Sequence, residues 1–172
     1  GLEPPAGALI DTGALITGKS NRQTAEFLLA HGLGRWCEGV VFLADNDEKM
    51  ILVKATGRAL KLSQCGIAVE KRFAFYDQIH TTGMDIKHAL NARAALTLGK
   101  DMVFRDFAQG AFRLRKIGQG QHMTIFIIPE VMQLIGSHMS RCRQMSVADY
   151  SAWFVGLPPD QQWPQMLRDV VA

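Results

Sequence analysis

The sequence predicts an α/β domain: a doubly wound, mostly parallel sheet of about six strands flanked by helices, with a short C-terminal helical tail. Two observations predict it. Short apolar runs rich in β-branched and aromatic residues, such as Met123-Thr124-Ile125-Phe126-Ile127-Ile128, read as strands, and Val40-Val41-Phe42-Leu43 lacks the alternation of a half-exposed strand. Both faces of such strands are expected to be buried. Helical patterns lie between these runs, and buried strands alternating with helices form parallel sheets covered on both sides.

Taken in order, Ala8-Leu9-Ile10-Asp11 reads as a strand that can run on to Ile16. Residues 21–31 read as a helix, with Ser20 or Asn21 as its cap and Gly32 as its stop. Residues 40–43 form the second strand, Asp45-Asn46-Asp47 a turn, and residues 50–53 the third strand. Arg72-Phe73-Ala74-Phe75-Tyr76 is the fourth and Ala94-Ala95-Leu96-Thr97-Leu98 the fifth. Residues 101–116 are expected to form an amphipathic helix with Phe104, Phe107, Ala108, Ala111 and Phe112 on one stripe. Residues 123–128 are the sixth strand, ended by Pro129. In the tail, residues 130–141 read as a helix. Ser146-Val147-Ala148-Asp149 reads as a capping sequence that opens a shorter helix, broken by Pro158-Pro159. The expected division is a domain over 1–135 and a helical extension over 136–172.

Bulk properties narrow the class. The chain has 172 residues, 48% apolar and 20% charged, enough for one packed core. No apolar run approaches the ~20 residues that span a bilayer, so no membrane partner is expected. Gly1-Leu2-Glu3-Pro4-Pro5 lacks the basic and apolar pattern of a secretion signal. The formal charge of +3 permits contact with nucleic acid without arguing for it. Cys37, Cys65 and Cys142 are odd in number and widely spaced, which fits neither a disulfide framework nor a zinc site. An intracellular setting, cytoplasm or nucleus, is therefore expected.

Ligands of doubly wound sheets sit at the carboxyl ends of the strands, and three candidate constellations lie there. The first is Gly13-Ala14-Leu15-Ile16-Thr17-Gly18-Lys19-Ser20, which fits the phosphate-loop pattern G-x-x-x-x-G-K-[ST]. Lys19 would neutralise a phosphate and Ser20 would hold Mg²⁺. A phosphate nest needs small residues that tolerate positive φ, whereas Leu15 and Ile16 are bulky and Ile16 is stiff. The other reading, a strand end, a turn at Gly18 and a capped helix, is favoured.

The second constellation pairs His80-Thr81-Thr82-Gly83-Met84-Asp85-Ile86, after a strand, with the later Gln109-Gly110-Ala111-Phe112-Arg113-Leu114-Arg115-Lys116-Ile117-Gly118-Gln119. This pair resembles motifs V and VI of superfamily-two helicases and translocases, which lie on the second RecA-like lobe. Motif VI there reads Q-x-x-x-R-x-x-R, continued as I-G-Q in chromatin-remodelling translocases. Here the last cation is Lys116, with Arg115 beside it. Residues 40–45 would stand in the place of motif IV. The runs at 8–16, 80–85 and 113–116 together also resemble the C-terminal part of very large eukaryotic proteins built of conserved domains of unknown function, sometimes catalogued as ubiquitinyl hydrolases. That resemblance covers roughly 8–155.

The resemblance implies half of an ATP site. Gln109, Arg113, and Lys116 or Arg115 would reach across to the nucleotide, the cations acting as fingers on the γ-phosphate, and Gly83 and Asp85 would meet the nucleotide or couple the lobes. ATP and Mg would be shared with an upstream RecA-like lobe of the same protein. Nucleic acid or protein would be the substrate moved. Phosphoryl transfer is catalysed mainly by positive charge placed where γ-phosphate charge spreads. On an unbroken helix Arg113 and Lys116 would share a face with Gln109.

The third constellation, Cys65 with His80 and Asp77, contains the residue types of a cysteine hydrolase. No signature surrounds Cys65, and buried cysteines are commonly inert small hydrophobes.

Overall fold

The computed structural model describes residues 6–81 and 85–143. The chain divides into two compact units, Gly1–Phe126 and Ile127–Ala172. The first is an α/β fold. Its elements are β1 (Ala8–Ile10), α1 (Asn21–Ala30), β2 (Gly39–Leu43), β3 (Lys49–Val53), β4 (Arg58–Lys61), β5 (Arg72–Tyr76), β6 (Arg93–Leu98), α2 (Phe104–Ala111) and β7 (His122–Ile127, whose last residue belongs to the second unit). The second unit contains α3 (Pro129–Arg143), which starts with the N-terminal Pro and acidic Glu130 that suit a helix start. α3 continues through 136, and the capping sequence expected at 146–149 lies outside the described residues. No helix among the described residues is long and apolar enough to cross a membrane.

The sheet has seven strands in the order β4-β3-β2-β5-β1-β6-β7. Strands β2, β5, β1 and β6 run parallel. Strands β3 and β4 are antiparallel to their neighbours, so the sheet is mixed. The antiparallel part of the sheet comes from short turns. Asp47 takes a left-handed φ of 62° in the turn that joins β2 to β3, and Gly57 takes 64° in the turn before β4. Connections this short join only antiparallel strands. β4 was not expected as a strand because Arg58-Ala59-Leu60-Lys61 is a mostly exposed edge. Charged edge residues of this kind discourage further strand pairing.

Two hydrophobic clusters cover the two faces. Val40, Phe42, Phe73 and Phe75 pack with Ala25 of α1 on one side. Val41, Ala74, Tyr76, Ile10 and Leu96 pack with Ile86 and Leu114 on the other. Every residue of β2 is buried, as expected for a strand covered on both faces. α1 matches its predicted start: Ser20 accepts from the Gln23 backbone N–H, and the Gln23 side chain accepts from the Ser20 N–H.

α2 is shorter than the expected 101–116. It begins at Phe104 and ends at Ala111, after which Arg113 N–H and Leu114 N–H donate to Gly110 and Ala111 carbonyls in tighter turns. The physical reason is Leu114, 1% exposed, which the turn carries into the core. The expected apolar stripe is also redistributed, because Phe104 and Phe112 are exposed while Phe107 and Ala111 pack against the core. Gly110 lets α2 lie directly on the sheet: a Cβ there would come within 2.3 Å of Thr12 Cγ2 and 3.2 Å of Leu96 Cδ1.

The chain leaves β1 through α1 toward β2, and leaves β5 toward β6 on the opposite side of β1. The order therefore reverses between β1 and β5, and a crevice is expected outside their carboxyl ends.

Candidate functional site

At the end of β1, Asp11 is 2% exposed. Its Oδ1 accepts from Leu15 N–H at 3.1 Å and from the Thr97 hydroxyl at 2.6 Å, and its Oδ2 accepts from Ile16 N–H at 2.9 Å. The Thr12 hydroxyl donates to the Thr97 carbonyl, and Gly13 N–H donates to Thr97 Oγ1. The loop after β1 is therefore wrapped around an anion of its own chain. Two of the backbone N–H groups that a phosphate loop would turn to a phosphate are held by the Asp11 carboxylate. Lys19 lies over the Phe27 ring, 5.7 Å from its centroid, and the Ser20 hydroxyl is used as a helix cap. The turn at Gly18, φ 74°, and the capped helix agree with the favoured reading of this segment.

At the end of β5, His80 lies between two carboxylates, 2.5 Å from Asp77 Oδ1 through Nδ1 and 2.9 Å from Asp47 Oδ1 through Nε2. It thus ties the β2–β3 turn to the segment after β5. Cys65 is not part of this group. Its carbonyl is bonded by Arg72 at the amino end of β5, whereas His80 follows the carboxyl end, with a five-residue strand between them. The structure does not bring Cys65 and His80 together as a hydrolase pair. The other described thiol, Cys37, is buried and its pKa is raised by that burial, so it stays protonated. Among the described residues no three His, Cys, Asp or Glu side chains converge on a metal-sized site.

Part of the second constellation comes together. A cleft of about 310 Å³ on the α2 side of the sheet is lined by Asp85, Lys87, His88, Arg113, Arg115 and Lys116, among others. Arg115 Nε lies 3.3 Å from Asp85 Oδ1, with both side chains more than half exposed. Early termination of α2 corrects the expected helix face. Gln109, Arg113 and Lys116 do not project from one continuous helix. Instead Arg113 is buried and its Nε donates to the Gln109 carbonyl at 3.2 Å, while Arg115 and Lys116 are exposed. Gly83, with Thr82 and Met84, lies outside the described residues.

No family model, curated protein or solved structure matches the chain. The site therefore rests on its own geometry, and two residues that sequence reasoning missed shape it. Gln121, 4% exposed, accepts from Lys116 N–H and donates to the Ala89 carbonyl, which holds the turn after Arg115 against the 85–92 segment. A buried glutamine looks like any polar residue in sequence, so no signal marked it. His88 bonds through Nε2 to the Tyr76 hydroxyl at 2.9 Å. Burial pushes the His88 pKa down to about 4, partly opposed by Asp85, and pushes the Tyr76 pKa up. Both groups are neutral near pH 7.

A pH dependence follows. Native His88 stays neutral down to about pH 4, whereas in the unfolded chain it titrates near 6.5. The unfolded state therefore gains the proton first as pH falls. Stability from this group is complete above pH 6.5 and is lost between 6.5 and 4, at no more than about 1.4 kcal/mol per pH unit. Urea unfolding at pH 7 and pH 5 measures it. His88→Phe should lower stability overall but flatten the dependence across that window. An unchanged slope in the variant would show that other groups carry it.

Proposed function

We propose that this chain is the second RecA-like lobe of a helicase- or translocase-type ATPase, in which a first lobe elsewhere in the same protein completes the ATP site. The observation that carries this reading is the meeting of Asp85 with Arg113, Arg115 and Lys116 around one cleft, since these residues come from the two segments that resemble motifs V and VI. The donor set fits a polyphosphate. Lys87, Arg115 and Lys116 offer exposed cations beside Asp85 and Glu70, and the planar guanidinium pairs with two phosphate oxygens at once. The cleft is at the small end for a complete ligand site, which suits a lobe that contributes fingers and leaves the phosphate cradle to its partner.

The roles within the motif follow from exposure. Arg115 and Lys116 are the residues able to reach a γ-phosphate held by the other lobe. Arg113 and Gln109 act as positioning residues, because the buried Arg113 side chain is bonded back to the Gln109 carbonyl. The Asp85–Arg115 pair is exposed on both sides. Such pairs are worth only ~0–1 kcal/mol, so a phosphate can displace the carboxylate at little cost. Mg·ATP bound across the lobes supplies the reacting phosphoryl group.

The isolated chain is expected to bind Mg·ATP only weakly, in the millimolar range or beyond, as titration calorimetry will measure. Micromolar binding abolished by Lys19→Ala would instead make Gly13–Ser20 a working phosphate loop and overturn the proposal.

A further inference from the structure

A second pocket lies beside the cleft of Arg115 and Lys116, against the starts of β1, β5 and β6. It has a volume of about 190 Å³. Its wall includes Gly7 just before β1, Arg72 at the first position of β5 and Arg93 at the first position of β6, with Trp36, Glu70 and Lys87 around them. Arg72, Lys87 and Arg93 are cations, and among the described lining residues Glu70 is the acid. The wall thus carries a surplus of two positive charges. His88 also lines the pocket and adds no charge near pH 7.

One polar atom of a lining residue is unaccounted for. The Arg93 Nε–H is buried and has no hydrogen-bond partner among the described residues. A buried N–H left without an acceptor is unfavourable, more so on a charged group. Arg72 differs, since its guanidinium donates to the Ile67 and Cys65 carbonyls. Arg93 therefore has unused donor capacity, and its side chain lines a concave, positively charged space too small for a nucleoside triphosphate.

We propose that this pocket binds a small, doubly charged oxyanion, a phosphate monoester or a dicarboxylate, with Arg93 as its principal donor. It borders the cleft of Arg115 and Lys116, sharing Glu70, Lys87 and His88 with it, but Arg72 and Arg93 line this pocket and not that cleft, and the proposal does not depend on the ATPase reading. Either source presents paired oxygens to the guanidinium fork, and the enclosed wall weakens solvent screening of the three cations.

The test is a titration of the chain with inorganic phosphate and, in a second arm, with malonate. Binding is followed by calorimetry and by the NMR resonance of the Arg93 Nε–H. Saturable binding that shifts this resonance is expected, and the arm with the tighter binding identifies the anion. Arg93→Gln should weaken binding about tenfold, and Arg115→Ala should leave it unchanged. Thermal unfolding will establish that each variant is folded. If Arg93→Gln does not fold, Arg93→Lys, which keeps the charge and loses the guanidinium fork, should weaken binding several-fold. The proposal is overturned by absence of saturable binding in both arms. It is equally overturned by binding that survives Arg93→Gln, or by an equal loss in Arg115→Ala, which would place the anion in the other cleft.

Discussion

Replacing Arg115 by alanine is expected to lower ATP turnover of the two-lobe protein by about 10³-fold while changing nucleotide affinity far less. The charge on the γ-phosphate spreads outward in the transition state, so a cation placed there acts mainly on the barrier. Arg115 is the exposed arginine of its cluster, and its ion-pair partner Asp85 is also exposed, so the side chain can exchange one anion for another. Lys116→Ala should give a smaller loss, because a lysine contributes a point charge without the bidentate fork. Arg113→Ala should differ in kind: that side chain is buried, and its removal should lower the melting temperature along with turnover. The measurement is steady-state ATPase for each variant beside its thermal unfolding. If Arg115→Ala is stable and turns over ATP at the parent rate, the assignment of the cluster as a finger is wrong, and the charges are only a solvated surface.

Asp11→Ala should be the most destabilising single change in the loop after β1, at about 3–5 kcal/mol. It strips the acceptor from Leu15 N–H, Ile16 N–H and the Thr97 hydroxyl together. Bonds to a charged group are each worth ~1.5–3 kcal/mol and are not additive within one network. Asp11→Asn keeps one side-chain oxygen and should lose about half as much. Urea unfolding reads both variants. A loss under about 0.5 kcal/mol for Asp11→Ala would mean that the loop is held by something other than the carboxylate.

Several features were legible from residues alone because their causes are local. The buried runs at β1, β2, β5 and β6 carry no alternation, and each became a strand of the parallel part of the sheet. Ser20 and Gln23 stand three apart at a helix start, and they form the reciprocal cap that this spacing allows. Asp85 and the 113–116 cations could be singled out by spacing, and they line one cleft.

What the tertiary structure alone decided depends on partners far away in the chain. Antiparallel pairing of β3 and β4 follows from tight turns at Asp47 and Gly57, and an exposed edge such as β4 carries no hydrophobic period to announce it. Helical periodicity runs past residue 111, but burial of Leu114 outweighs the few tenths of a kcal/mol per residue that helix propensity offers there. That choice buried Arg113 and left Arg115 beside Asp85, thirty positions earlier. The G-x-x-x-x-G-K-[ST] pattern shows the same division. Its letters specify a turn and a helix start, whereas the anion at the loop's N–H groups depended on whether Asp11 and Thr97, 86 positions apart, would meet. They meet because β1 and β6 pair side by side, a long-range contact that no local pattern encodes.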